Sequence, residues 1–236
     1  TGKNCLVIRN GWFSFRWTQI FEAGDIPAHA TVLQARLAGD GGQAPFAPVP
    51  IDEAVAAIAE EKADMVFAPH VETASGMMLP DDYMRALADA VHEVGGLFVL
   101  DCIASGAMWV DMQAIGVDIL ISAPQKGWSA SPCAGLVMLS ATARQRIEQT
   151  TSTSFACDLR KWLGIMEAYE AGGHAYHATL PTDALGVFRD AMQETQALGF
   201  GKLRDAQRDL GRRVRALLAD RGFRSVAAEG FEAPGV

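Results

Sequence analysis

Apolar residues along the chain gather in short runs separated by longer stretches with helical spacing. The runs at 4–9 (NCLVIR), 65–68 (MVFA), 96–101 (GLFVLD), 118–122 (DILIS) and 135–139 (GLVML) are too short for helices. Their interiors are continuously apolar, the pattern of strands buried on both faces. A further strand is predicted at 31–38, where apolar and polar positions alternate, followed by a glycine-rich loop at 39–43. Between the strands, the aromatic-rich stretch from Trp12 predicts a helix to about Ala23. Pro50 opens another over 51–62, with Asp52 and Glu53 in the first turn, where the helix dipole favours them. Pro80-Asp-Asp opens a third, in which Met84, Leu87, Ala88 and Val91 recur at helical spacing. This alternation predicts an α/β fold: a three-layer, mostly parallel sheet with helices on both faces.

After Ser140 the pattern changes to helices, predicted at 141–150, 159–171, 182–198 and 200–221, with a weak strand at 225–227. The last helix is rich in Arg and Asp and reads as solvated on one face. A domain change is expected near Gly199, dividing the chain into a sheet-bearing unit (1–198) and the start of a small α+β domain (199–236). Both ends stop inside what read as sheet elements, which predicts that the chain is a fragment.

Composition narrows the chemistry. Half of the 236 residues are hydrophobic, ample for a core, yet no run approaches the length of a membrane span and no signal-peptide pattern is present. A formal charge of −8 argues against a nucleic-acid binder, which needs a basic face. Cys5, Cys102, Cys133 and Cys157 lie far apart without metal-ligand spacing, so buried, reduced thiols and a cytoplasmic location are expected. His174 and His177 share a turn, but no thiol or carboxylate completes a metal site. No Gly-x-Gly-x-x-Gly follows a strand, so a dinucleotide site has little support.

The chemistry concentrates at two strand ends. One apolar run ends in Asp101, and the next leads through Ala123-Pro-Gln to Lys126. Ligands of α/β proteins sit beyond the carboxyl ends of parallel strands, so an acid and an amine are delivered to one crevice. That pair suits pyridoxal phosphate (PLP), which needs a lysine for its Schiff base and an acid to keep its ring nitrogen protonated. Small and apolar neighbours (Gly127, Trp128, Ala130, Cys133) would partly desolvate the lysine and favour its neutral, nucleophilic form. Each residue has a plainer reading: a lysine in a strand-end loop is often a surface charge, and a strand-end aspartate often caps the next turn.

The stretches NGWFSFRW (10–17), HVETASG (70–76), VLDCIAS (99–105), SAPQKG (122–127) and YHATLP (176–181) resemble, in order, the class V, fold-type-I, PLP-dependent aminotransferases. The likeness is to the alanine/serine–glyoxylate (serine–pyruvate) group and covers essentially the whole chain. It implies the fold-type-I large domain, PLP as cofactor, and transamination between a small amino acid and a 2-oxo acid. Residue by residue, it implies that Lys126 carries the cofactor, Asp101 pairs with the ring nitrogen and Gln125 contacts the phosphate. Thr73 would bond the phenolic oxygen, Phe13 (with Trp12 beside it) would stack on the ring, and Ile103 would pack its other face. Tyr176 and Thr179 would reach the phosphate across a homodimer interface, although these residues also read as caps of the following helix.

The chain departs from the family pattern in two places. The glycine-rich phosphate loop would lie upstream of Thr1 and the arginine that grips the substrate carboxylate beyond Val236, so the chain alone is expected to show no transamination. Arg16 belongs to the aromatic turn and is not reassigned to that task. Two alternatives stand beside transamination. One is β-elimination, as in a cysteine desulfurase, in which a histidine usually precedes the lysine; Gln125 stands there instead. The other is a catalytically incompetent fragment acting only as a dimerising scaffold.

Overall fold

The computed structural model describes residues 2–236; Thr1, where the fragment reading starts, lies outside them. Among the described residues, ten strands and eight helices follow one another. They are β1 (Asn4–Arg9), α1 (Phe15–Gly24), β2 (His29–Gln34), β3 (Arg36–Leu37), β4 (Phe46–Ala47), α2 (Ile51–Glu61), β5 (Met65–Pro69), β6 (Val71–Glu72) and β7 (Met77–Met78). Next come α3 (Asp81–Glu93), β8 (Leu97–Asp101), α4 (Met112–Ile115), β9 (Ile119–Ser122) and β10 (Leu136–Leu139). Four helices close the chain: α5 (Ala141–Glu148), α6 (Leu159–Glu170), α7 (Thr182–Leu198) and α8 (Phe200–Ala219).

Six strands form the main sheet in the order β10-β9-β8-β5-β1-β2. Five run parallel and β10 pairs antiparallel to β9. The short apolar runs became strands because each is covered on both faces. Successive side chains point to opposite faces, so Leu6, Ile8, Val66, Ala68, Phe98 and Leu100 bury one face against α2 and α3. Cys5, Val7, Phe67 and Val99 bury the other against Trp17 and Phe21 of α1. Met84, Leu87, Ala88 and Val91 are fully buried, as their spacing predicted. Truncating a residue such as Phe98 to Ala in this core should cost about 3–5 kcal/mol.

Three local expectations are corrected. The strand predicted over 31–38 breaks at Ala35, whose N–H is held by the Arg9 carbonyl at 2.9 Å; beyond it, β3 turns into a hairpin with β4. The 225–227 strand reduces to one bridge, Ala227 with Phe46. The first helix begins at Phe15 rather than Trp12, because a buried acid takes the preceding amides. Composition hid α4 as well, a single turn whose N-cap Asp111 accepts from Gln113 and Ala114.

Strand order reverses between β1 and β5: β2 lies on one flank of β1, and β5, β8 and β9 on the other. The carboxyl ends of these strands therefore open a crevice at this point. At the opposite end of the sheet, buried Asp118 accepts from Phe98 N (2.9 Å) and Ser140 Oγ (2.8 Å) and lies 2.7 Å from His92 Nε2. That acid is a staple of the sheet, remote from the crevice. The helix α8 returns to the sheet unit: Gln207 Oε1 accepts from Ala107 N at 2.7 Å, and Arg215 donates to the carbonyls of Gly76 and Ala233. Among the described residues no helix is long and apolar enough to cross a membrane.

Candidate active site

A cavity of about 390 Å³ lies at the carboxyl ends of β5, β8 and β9, walled on one side by α1. Phe13, Thr73, Asp101, Ile103 and Lys126 all line it. Its walls are largely apolar, with Trp17, Ile20, Pro69, Val71, Ala104 and Ile121, and are joined by Ser14 and Arg16. A larger and shallower concavity, about 620 Å³, lies on the opposite flank of α1 beside Arg9, Glu22 and His29. None of the residues expected at the site lines it.

Register explains the convergence. Asp101 stands between Pro69 of β5 and Ile121 of β9 in the parallel ladders, and both neighbours line the cavity. Asp101 Oδ1 accepts from Ile103 N at 2.9 Å, so the plain reading of a turn cap holds for one oxygen. Oδ2 has no protein partner among the described residues and stays open to the cavity. Burial pushes the Asp101 carboxyl above its ordinary pKa; the Ile103 N–H opposes the rise and the nearby charge of Glu72 adds to it. A carboxylate so placed is short of a positive partner.

Lys126 sits in a tight turn after β9, closed by Ser129 N to Lys126 O (3.0 Å) and Ala130 N to Pro124 O (3.0 Å). Ser129 takes a left-handed conformation, φ 55°, which non-glycine residues seldom adopt. Gly127 admits no side chain: a Cβ there would lie 2.4 Å from the Gly106 carbonyl oxygen. The turn is therefore pressed against the loop that follows Asp101. Lys126 itself is exposed, which corrects the expected desolvation by its small neighbours.

The remaining expected residues are not gathered at the cavity. Gln125 is exposed and does not line it. Tyr176 and Thr179 sit in the loop between α6 and α7, bonded to each other through their hydroxyls at 3.1 Å, and neither lines the cavity of its own chain. They do not cap α7 either, since Pro181 holds the cap position without a side-chain bond. His70 is enclosed, its Nδ1 2.8 Å from Ser105 Oγ, and burial pushes its pKa down to about 4. It serves as a neutral brace and does not line the cavity. Cys102 is buried and its thiol pushed up to about 12, whereas Cys157 is exposed, against the expectation of four buried thiols. Trp109 and Trp162, expected in the core, are half-buried.

Sequence reasoning missed Glu72. Flanked by Val71 and Thr73, it is 1% exposed and has no basic residue beside it in the chain. The sequence around it, His70-Val-Glu-Thr-Ala-Ser-Gly76, carries no pattern that marks this acid as buried, since acids are seldom fully buried.

The mostly parallel sheet flanked by helices is that of the fold-type-I PLP transferases, and a strand-end acid and amine share a cavity at the carboxyl ends of its strands. The family model for aminotransferase class-V matches residues 46–231, and the chain belongs to this family. It is 26% identical over 217 residues to alanine–glyoxylate aminotransferase 1 of Saccharomyces cerevisiae, covering 88% of this chain and 53% of that protein. It is 31% identical over 176 residues to the alanine–glyoxylate aminotransferase of Callithrix jacchus, covering 71% of this chain and 41% of that one. The crystal structure of an alanine–glyoxylate aminotransferase from Nostoc sp. superposes with a TM-score of 0.82 at 20% identity, over 99% of this chain and 58% of that structure. The chain spans about half the length of the curated relatives it matches.

Proposed function

We propose that this chain forms the cofactor-bearing part of a PLP-dependent aminotransferase that moves an amino group from alanine or serine to glyoxylate or pyruvate. The observation that carries the reading is the convergence of Asp101 and Lys126, from neighbouring parallel strands, on one largely apolar cavity. The names of the relatives, alanine–glyoxylate aminotransferases, support alanine as donor and glyoxylate as acceptor.

The residues fit PLP. The volume falls within the roughly 300–1,000 Å³ of small-molecule sites. The open oxygen of Asp101 offers an acceptor that a protonated ring nitrogen would satisfy. Lys126 would hold the cofactor through its amine, Phe13 and Ile103 would cover the two ring faces, and Thr73 would meet the phenolic oxygen. Gln125 would turn toward the phosphate, joined by Tyr176 and Thr179 of a second copy in a cytoplasmic homodimer.

When bound, PLP supplies an electron sink for the charge that develops at the donor's α-carbon. Asp101 keeps the proton on the ring nitrogen, an ionic hydrogen bond strengthened by the apolar surroundings. Lys126 Nζ would take the proton off the donor's α-carbon as general base. The apolar walls limit water beside Asp101.

The experiment is a titration with PLP followed by visible absorption. A Lys126-dependent band is the expected outcome, and in a longer protein that contains this chain alanine or serine should bleach it. A spectrum unchanged by Lys126→Ala would remove the reading.

A further inference from the structure

Glu72 makes four hydrogen bonds, and three join it to the turn at the end of β1. Its Oε1 accepts from Phe13 N (3.2 Å) and from Ala74 N (3.2 Å), and its Oε2 from Ser14 N (2.9 Å) and from the Ser14 hydroxyl. An ionised carboxylate offers about four acceptor positions, so every one is used. The charge lies at the start of α1, where the dipole favours an anion. Ser14, the N-cap residue, makes no cap bond to its own helix; its hydroxyl binds Glu72 and accepts from Asn10 N at 3.3 Å. Gly11 completes the fit, because a Cβ there would stand 2.6 Å from Glu72 Cγ.

The two elements joined in this way both wall the cavity. Phe13 and Ser14 come from the turn, and Thr73 follows Glu72 directly. Phe13 is 47% exposed, so packing alone does not hold its ring. From this geometry we infer that Glu72 is a positioning residue: its carboxylate sets the aromatic turn, and with it Phe13, against the strand end that carries Thr73. The inference rests on the PLP reading only for what Phe13 contacts.

Glu72→Gln is the direct test, because an amide nitrogen cannot accept and at least one pair of donors loses its acceptor. Without PLP, amide hydrogen exchange at residues 12–16 should quicken about tenfold or more, the loss of roughly one net hydrogen bond, while β8 and α3 keep their protection. Gly11→Ala, which pushes on the same carboxylate from the other side, should loosen the same amides, and Ser14→Ala should do so less. With PLP, Glu72→Gln should weaken affinity about tenfold in the parent background. It should weaken affinity no further once Phe13 is replaced by alanine, a coupling that a general loss of stability does not produce. Unchanged exchange at 12–16 in both Glu72→Gln and Gly11→Ala would overturn the inference. So would additive losses of affinity with Phe13→Ala. If the parent chain showed no Lys126-dependent PLP band, the functional reading would fall and exchange alone would decide the role of Glu72.

Discussion

Asp101 is paired in register with Ile121 across the parallel ladder of β8 and β9. The acid and the segment leading to Lys126 therefore leave the sheet at the same level. In the folded chain the Asp101 pKa is raised, so the folded state holds this proton more tightly than the unfolded state. Its contribution to stability is present at low pH and is lost as pH rises through the folded value. Asp101→Asn should therefore melt no lower than the parent at neutral pH before PLP is added. The same change should weaken PLP about ten- to hundredfold, as for a charged hydrogen bond of about 1.5–3 kcal/mol, and in a longer, active protein that contains this chain it should cut turnover more than retention. Calorimetry and a PLP titration check both; near-normal turnover would make the acid structural.

Borohydride reduction of the PLP-loaded protein, followed by peptide mapping, should place the pyridoxyl group on Lys126. Recovery of the label on Lys62 or Lys161 instead would refute the assignment of the amine.

The enclosed His70 makes stability depend on pH in the opposite sense. Its folded pKa of about 4 lies below the usual 6.5, so the unfolded state binds a proton that the folded state refuses. Stability should fall as pH drops from about 6.5 toward 4 by up to about 3 kcal/mol and change little below that on this account. In His70→Asn, denaturant titrations across this window should show a slope smaller by about one proton.

Gly127→Ala should cost about 1–3 kcal/mol, the usual range for overpacking, since the new methyl meets the Gly106 carbonyl. The strain falls on the turn that carries Lys126, so the PLP band should weaken as the melting temperature falls. A fully stable Gly127→Ala variant with an unchanged band would show that the close approach is not needed.

If Tyr176 and Thr179 act across a two-fold interface, their effect should appear in mixed dimers. In a longer, active protein that contains this chain, combining a Lys126→Ala subunit with a Thr179→Ala subunit should restore one intact site per mixed dimer. Activity no greater than that of either variant alone would place Thr179 outside the site of the partner subunit.

The strands, the long helices and the acid–amine pair were legible in the chain because each depends on local order. Period-2 and helical spacing record which face is buried, and Asp101 and Lys126 stand directly after the strands that deliver them. Helix boundaries such as Lys62, a left-handed cap with φ 48°, also follow from short-range geometry. The broken strand at Ala35 was not legible, because the carbonyl that takes its amide belongs to Arg9, outside the segment.

Glu72 shows most plainly what local pattern could not reveal. Its four donors come from residues 13, 14 and 74, and the bonds to residues 13 and 14 span nearly sixty positions. A buried carboxylate is tolerable only where donors converge on it, and the sheet brings them together by laying β1 beside β5. The same holds for the exposure of Lys126 and for the loop that keeps Tyr176 and Thr179 away from their own chain's cavity. Spacing along the chain fixes which side chains share a face, whereas contacts between distant segments exist only once the strand order is set.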